Sequence, residues 1–171
     1  IISTVVVNDG LWHHIAATRN KSDGIIRLYV DGTFQGTETG NMNSLASPQS
    51  LAFGMLQTGP GNYAGLLDEI RIWDVTRDST QIRSDMHRVY TAPEPGLVGY
   101  WQLNESSGTT AIDLIGSFQG SLTGFEFNET SGWTTSTAPI AAGVSTSIGN
   151  FTSGTANLGT VSLTTVDGFD N

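Results

Sequence analysis

The segment Gly65-Leu66-Leu67-Asp68-Glu69-Ile70-Arg71-Ile72-Trp73-Asp74 sets acidic groups beside a strongly apolar run. Its alternation predicts a β-strand with Asp68, Ile70 and Ile72 on one face and Glu69, Arg71 and Trp73 on the other. Two earlier stretches carry the same signal. Asp9-Gly10 is turn chemistry, and residues 11–19 after it alternate with a period of two. Residues 25–30 alternate again, with Ile26, Leu28 and Val30 sharing a face, and end at Asp31-Gly32, a hairpin signal leading into 33–39. Three strands in this order predict a two-sheet β protein.

Composition supports that reading. The 171 residues include 21 glycines, many Ser and Thr, and one lysine, Lys21, a mix suited to short strands and turns. The formal net charge is -9 with no basic stripe, which argues against nucleic acid and anionic membrane surfaces as partners. Cysteine is absent, so disulfides, thiolate metal sites and a cysteine nucleophile are excluded. No apolar run approaches the ~20 residues that span a bilayer, so no membrane insertion is expected. The chain opens on Ile1–Val7, a β-branched run that reads as a strand, and the expectation is a piece of a longer protein.

Residues 51–56 read as a short strand broken by Gly59-Pro60-Gly61-Asn62. Asp78 with Gln81 three residues on is a capping box for a short helix to about Arg88, with Ile82 and Met86 as its apolar stripe. Pro93 and Pro95 follow, then a strand over 97–103, a loop at 104–108, and short strands over 122–127 and around Trp133. From Ala138 the chain lacks Lys, Arg and Glu and becomes rich in Ser, Thr and Gly. The expected division is therefore 1–137 as one β unit and 138–171 as a linker or the first strands of a following β module.

Three motifs together carry a family resemblance: Asp9-Gly10-Leu11-Trp12-His13-His14-Ile15-Ala16-Ala17, Leu28-Tyr29-Val30-Asp31-Gly32, and Gly65 to Trp73. They resemble the laminin-G-like, concanavalin A-like jelly roll, and Gln81-Ile82 is similar to the short helix that follows in that family. Residues 96–103, 107–111 and 120–124 resemble a trailing segment found in secreted multidomain proteins of Bacteroidetes-like bacteria. The resemblance implies an all-β fold: an antiparallel β-sandwich of jelly-roll type, partial, with one short helix. It implies that residues 1–137 are the C-terminal part of such a domain. The remaining part of the same polypeptide, or a second chain, would complete the sandwich.

Glycoside hydrolysis needs two carboxyl groups about 5–9.5 Å apart. Asp68 and Asp74 share a strand face but lie roughly 20 Å apart at about 3.3 Å per residue, and Asp68 and Glu69 point to opposite faces. No catalytic residue is expected, and the chain reads as a non-enzyme. Asp68, an acid on an apolar face, needs a partner or a cation, and the family often carries Ca²⁺ near the sandwich rim, so Asp68 is the metal candidate. Asp31 reads as a hairpin residue. His13 and His14 are adjacent on a strand and face opposite ways, so they cannot chelate one ion. Trp12, Trp73 and Trp101 read as packing. Tyr63 and Asn62, beside the Gly-Pro-Gly break, are the ligand-contact candidates, with loops 40–50, 57–64 and 104–108 as the rim. The resemblance thus implies a binding or adhesion module of a secreted or cell-surface protein, with a glycan or protein ligand. An accessory domain of a carbohydrate-active enzyme and a structural spacer are the alternatives.

Overall fold

The structure is a computed structural model that describes residues 1–43, 51–55, 62–128 and 131–139, together with strand backbone at 50 and 160–164. Residues 44–49, 56–61 (with the Gly59-Pro60-Gly61 break), 129–130 and the tail from 140 outside 160–164 lie beyond the described residues. Ten elements follow in chain order: β1 (Ile15–Arg19), β2 (Ile25–Val30), β3 (Thr33–Thr39), β4 (Ser50–Phe53), β5 (Ile70–Trp73), α1 (Ser79–Asp85), β6 (Leu97–Trp101), β7 (Thr110–Ala111), β8 (Gly120–Thr123) and β9 (Thr160–Thr164). They fall into two compact units.

The first unit comprises residues 1–45, 75–89 and 137–144. Its sheet has the order β1-β2-β3, antiparallel throughout. The β1–β2 connection is closed by side chains: the Ser22 amide and hydroxyl both donate to Asn20 Oδ1, and the Ile25 amide donates to Asp23 Oδ1. The β2–β3 hairpin turns at Asp31 and Gly32, both at positive φ, as the Asp-Gly pair predicts. Gly32 is required for space as well, because a Cβ there would lie 2.1 Å from Arg83 Cγ. A bulge between Leu28 and Tyr29 shifts the register of β2 on β3. Helix α1 is capped as its sequence predicts: Asp78 accepts from the Thr80 and Gln81 amides, and Gln81 Oε1 accepts from the Asp78 amide. Among the described residues of this unit, Tyr29, Val30 and Ile82 are the buried large apolar side chains.

The second unit comprises residues 46–74, 90–136 and 145–171. It holds a two-stranded sheet, β5-β6, and a four-stranded sheet, β4-β9-β8-β7. The two sheets share one core. Trp101, Leu103, Ala111 and Leu122 are buried there, and Leu51, Phe53, Leu67, Ile70, Ile72, Phe118, Phe125 and Trp133 pack against them. Side chains from both sheets thus meet in a single apolar layer, the defining feature of a sandwich. The Trp101 indole donates to the Phe118 carbonyl at 2.9 Å, so the buried ring keeps a satisfied N–H.

Five expected strands are corrected. Residues 1–7 form no strand: the Ser3 hydroxyl bonds the Val5 backbone, and Ser3 and Thr4 both donate to Gln35 Oε1 on β3, so side chains compete for the extended backbone. The strand predicted over 65–74 is confined to Ile70–Trp73, because Glu69 sits at φ 54. Asp68 therefore does not share a strand face with Ile70 and Ile72. The 97–103 strand ends at Trp101, and Leu103 also takes positive φ. The strand expected over 122–127 is Gly120–Thr123, and around Trp133 the described residues form isolated bridging, Asn128 with Ser131, in place of a strand.

Candidate functional site

The acidic stretch before β5 is the centre of the second unit's polar chemistry. Glu69, turned by its left-handed backbone, accepts from Arg71 Nη2 at 2.8 Å and from the Tyr100 hydroxyl at 2.5 Å. The Arg71 guanidinium lies 5.3 Å from the Tyr90 ring centroid and 5.5 Å from that of Tyr100, within cation–π range. The Gln102 amide donates to the Tyr100 hydroxyl, and the Asn104 amide donates to Gln102. Burial, reinforced by the Glu69 carboxylate, pushes the Tyr100 hydroxyl well above the usual phenol range. Glu69 and Arg71 side chains are 12% and 8% exposed, so this is a largely dehydrated ion pair, with two aromatic rings close to the guanidinium.

Asp68, one residue earlier, has a different environment. Ser136 Oγ donates to its Oδ2 at 2.7 Å, whereas its Oδ1 is buried with no hydrogen-bond partner among the described residues. Burial pushes the Asp68 carboxyl up to about 6, partly offset by the Ser136 hydroxyl and augmented by the neighbouring Glu69 charge. An orphaned buried carboxylate oxygen is the kind of group that takes a proton or a cation. Among the described residues no group of three or more His, Asp or Glu is arranged to hold a metal.

Asn62 and Tyr63 lie together where the chain returns from β4, with Asn62 bridged to Met55 and the Tyr63 amide bonded to the Gly54 carbonyl. Tyr63 is 48% exposed. Its ring is laid back over Gly65, where a Cβ would come within 2.4 Å of the hydroxyl, and the hydroxyl donates to the Leu66 carbonyl. The structure therefore brings Asn62 and Tyr63 together on an accessible edge and ties Asp68 to Ser136 instead.

Sequence reasoning did not single out two anchoring carboxylates. Asp113, 5% exposed, accepts from the amides of Tyr100, Ile115, Gly116 and Phe118. Glu105 accepts from the Ile112 amide at 2.6 Å, and burial pushes its carboxyl up. The Asp113-x-x-Gly116 spacing is the signal that could have revealed the first, since a short acid before a glycine is turn chemistry. In the first unit His13 lies between Asp31 (Nδ1, 2.8 Å) and Asp9 (Nε2, 3.1 Å), and the His14 amide donates to Asp31 Oδ1. Asp31 is thus a hairpin residue, as its turn position suggested, and it also bonds His13 and His14 just before β1.

Comparison with known proteins places this geometry in context. Residues 1–83 match the family model described as the concanavalin A-like lectin/glucanases superfamily. The chain is 32% identical over 87 residues to the rat protein named "Sushi, von Willebrand factor type A, EGF and pentraxin domain-containing protein 1", and 31% identical over 86 residues to the mouse protein of that name. These alignments take in 46% and 45% of this chain and only 2% of each relative. No solved structure matches. The matched relatives are animal proteins. No helix among the described residues is long and apolar enough to cross a membrane. With antiparallel sheets and one short helix among the described residues, the fold is all-β, that of a partial β-sandwich, and the concanavalin A-like match falls on residues 1–83.

Proposed function

We propose that this chain is a non-catalytic binding or adhesion module of a large secreted or cell-surface protein, taking a glycan or protein ligand. The observation that carries the reading is the commitment of the two adjacent carboxylates. Glu69 is engaged by Arg71 and Tyr100, and Asp68 is buried against Ser136. A general acid and base for glycoside cleavage must instead face an open cleft across the scissile bond. The accessible Asn62–Tyr63 edge is the proposed contact, with the tyrosine ring as the apolar platform.

A calcium ion belongs to the proposal at Asp68. The buried, unpartnered Oδ1 supplies one hard oxygen, and backbone carbonyls and water would supply the rest, as calcium sites commonly allow. The exposed apolar side chains of residues 1–15 are the proposed seat of further strands, from the same polypeptide or a second chain.

The test is binding of the full chain to a glycan array and to immobilised extracellular proteins, with calcium or EDTA. Binding that falls in Tyr63→Ala without a change in melting temperature supports the reading. Hydrolysis of an oligosaccharide by the purified chain, or binding untouched by Tyr63→Ala, would overturn the function or its assigned edge respectively.

A further inference from the structure

The four-stranded sheet of the second unit is assembled out of order. Strand β9, the last in the chain, lies between β4 and β8. Its register sets Leu163, Ser162 and Val161 opposite Leu51, Ala52 and Phe53 on one side, and opposite Gly120, Ser121 and Leu122 on the other. Among the described strands, β4 has no other partner. Positions 161 and 163 fall in the same rows as Phe53, Leu122 and Leu51, the side chains that pack on Trp101 and Leu103. Position 162 falls in the row of Ser121, which is solvent-exposed.

Without β9 the slot would present two open backbone ladders flanking an apolar row. That is the geometry that accepts an added strand through main-chain hydrogen bonds, with alternate side chains giving selectivity. The sequence Thr160-Val161-Ser162-Leu163-Thr164 has the alternation the slot requires. Residues 140–159, which separate this strand from Pro139, are rich in Gly, Ser, Thr and Ala. Twenty such residues reach up to about 70 Å when extended, which is enough to deliver the strand to a neighbouring molecule.

We propose that the β4–β8 slot is a strand-acceptor site that takes Thr160–Thr164 from a second copy of this chain, in reciprocal exchange. Reciprocal exchange leaves every ladder filled in both copies, so the exchanged dimer forgoes only the entropy of association. The tether sets a high effective concentration for the strand within its own chain, so the exchanged form grows with protein concentration.

The absence of cysteine makes the test clean. Ser121→Cys and Ser162→Cys are placed in separate full-length chains, one carrying a mass tag, and the mixture is treated with a short thiol–thiol crosslinker across a dilution series. The double variant S121C/S162C reports the link within one chain. Ala52→Cys paired with Ser162→Cys repeats the test from the β4 side, should the first pair disturb folding. The expected result is a mixed-chain product that rises with concentration and is suppressed by a peptide of residues 158–166. A link confined to the double variant at every concentration would overturn exchange. No link in any arrangement would overturn the slot itself. Suppression by an unrelated strand-forming peptide, and not by the 158–166 peptide, would assign the slot to a foreign strand and reject the second copy.

Discussion

His13 has a carboxylate at each ring nitrogen, and only the imidazolium can donate to both. The Asp31 bond, then the Asp9 bond, raises His13 above its ordinary 6.5. Asp9 is held below 3.8 by the Leu11 amide and by His13. Burial pushes Asp31 up, but His13 and the His14 amide outweigh it and leave it below 3.8. The stabilisation from His13 is complete below 6.5 and is lost as pH rises through its elevated folded value. That from the two aspartates is present above 3.8 and is lost as pH falls through their depressed values. The clasp is therefore whole between 3.8 and 6.5, and thermal melts of His13→Gln should lose the alkaline fall expected of the parent. An unchanged alkaline limb would refute the clasp. Asp68 works in the opposite sense. Its folded value of about 6 lies above the reference 3.8, so ionising it costs stability above about 6, a cost relieved as pH falls towards 3.8. The upper bound is about 3 kcal/mol, reduced by solvent screening because the residue is half-buried. Asp68→Asn in EDTA should raise the melting temperature at about pH 8 and change little at about pH 4, since Ser136 can still donate to an amide oxygen. A variant that melts lower at the higher pH would contradict this.

Loop 112–118 shows how one side chain can stand in for a strand ladder. Four amides converge on the Asp113 carboxylate, and each buried donor left unmet costs about 1–3 kcal/mol. Asp113→Ala should therefore destabilise the chain by more than about 3 kcal/mol in chemical denaturation; a loss below about 1 kcal/mol would show that the loop relaxes to water. Gly116→Ala probes the same loop sterically, because its Cβ would come 2.5 Å from Asp113 Oδ2 and 2.6 Å from the Val98 carbonyl oxygen. On α1, Asp78→Ala removes both cap bonds and should cost about 1 kcal/mol. The cap was legible because a helix N-terminus is a local contract between residues 78 and 81. The β2–β3 hairpin was legible for the same reason. The extent of β5 was not: alternation alone continued the strand back through Asp68, whereas the ion pair with Arg71 and the bond from Tyr100 favour a left-handed Glu69. Tyr100 lies 31 positions away, and Ser136, which settles the environment of Asp68, lies 68 away. Period-two reasoning sees neighbours within a strand and is blind to partners at that separation.

At the scale of the chain, two surface properties oppose one another. The net charge of -9 favours solubility. Yet Ile2, Leu11 and Val6 are 90%, 71% and 63% exposed, and Ile1, Val5, Val7 and Ile15 are exposed beside them in sequence. Scattered apolar exposure is ordinary, whereas this concentration in the first fifteen residues is what an interface-forming segment shows. The all-β class was readable from composition and alternation because those patterns are repeated along the chain. The exposure of this segment was not, since a β-branched run reads equally well as a buried strand. The consequence is a surface that should bind an apolar dye and promote association without contributing to the fold. The triple variant Ile2→Ser, Val6→Thr, Leu11→Gln should lower 8-anilinonaphthalene-1-sulfonate fluorescence and light scattering. Its melting temperature should stay close to the parent's, because exposed substitutions usually change stability by no more than about 0.5 kcal/mol. If the variant instead melts several degrees lower while dye binding persists, these side chains are part of the first unit's own core and the apolar surface lies elsewhere.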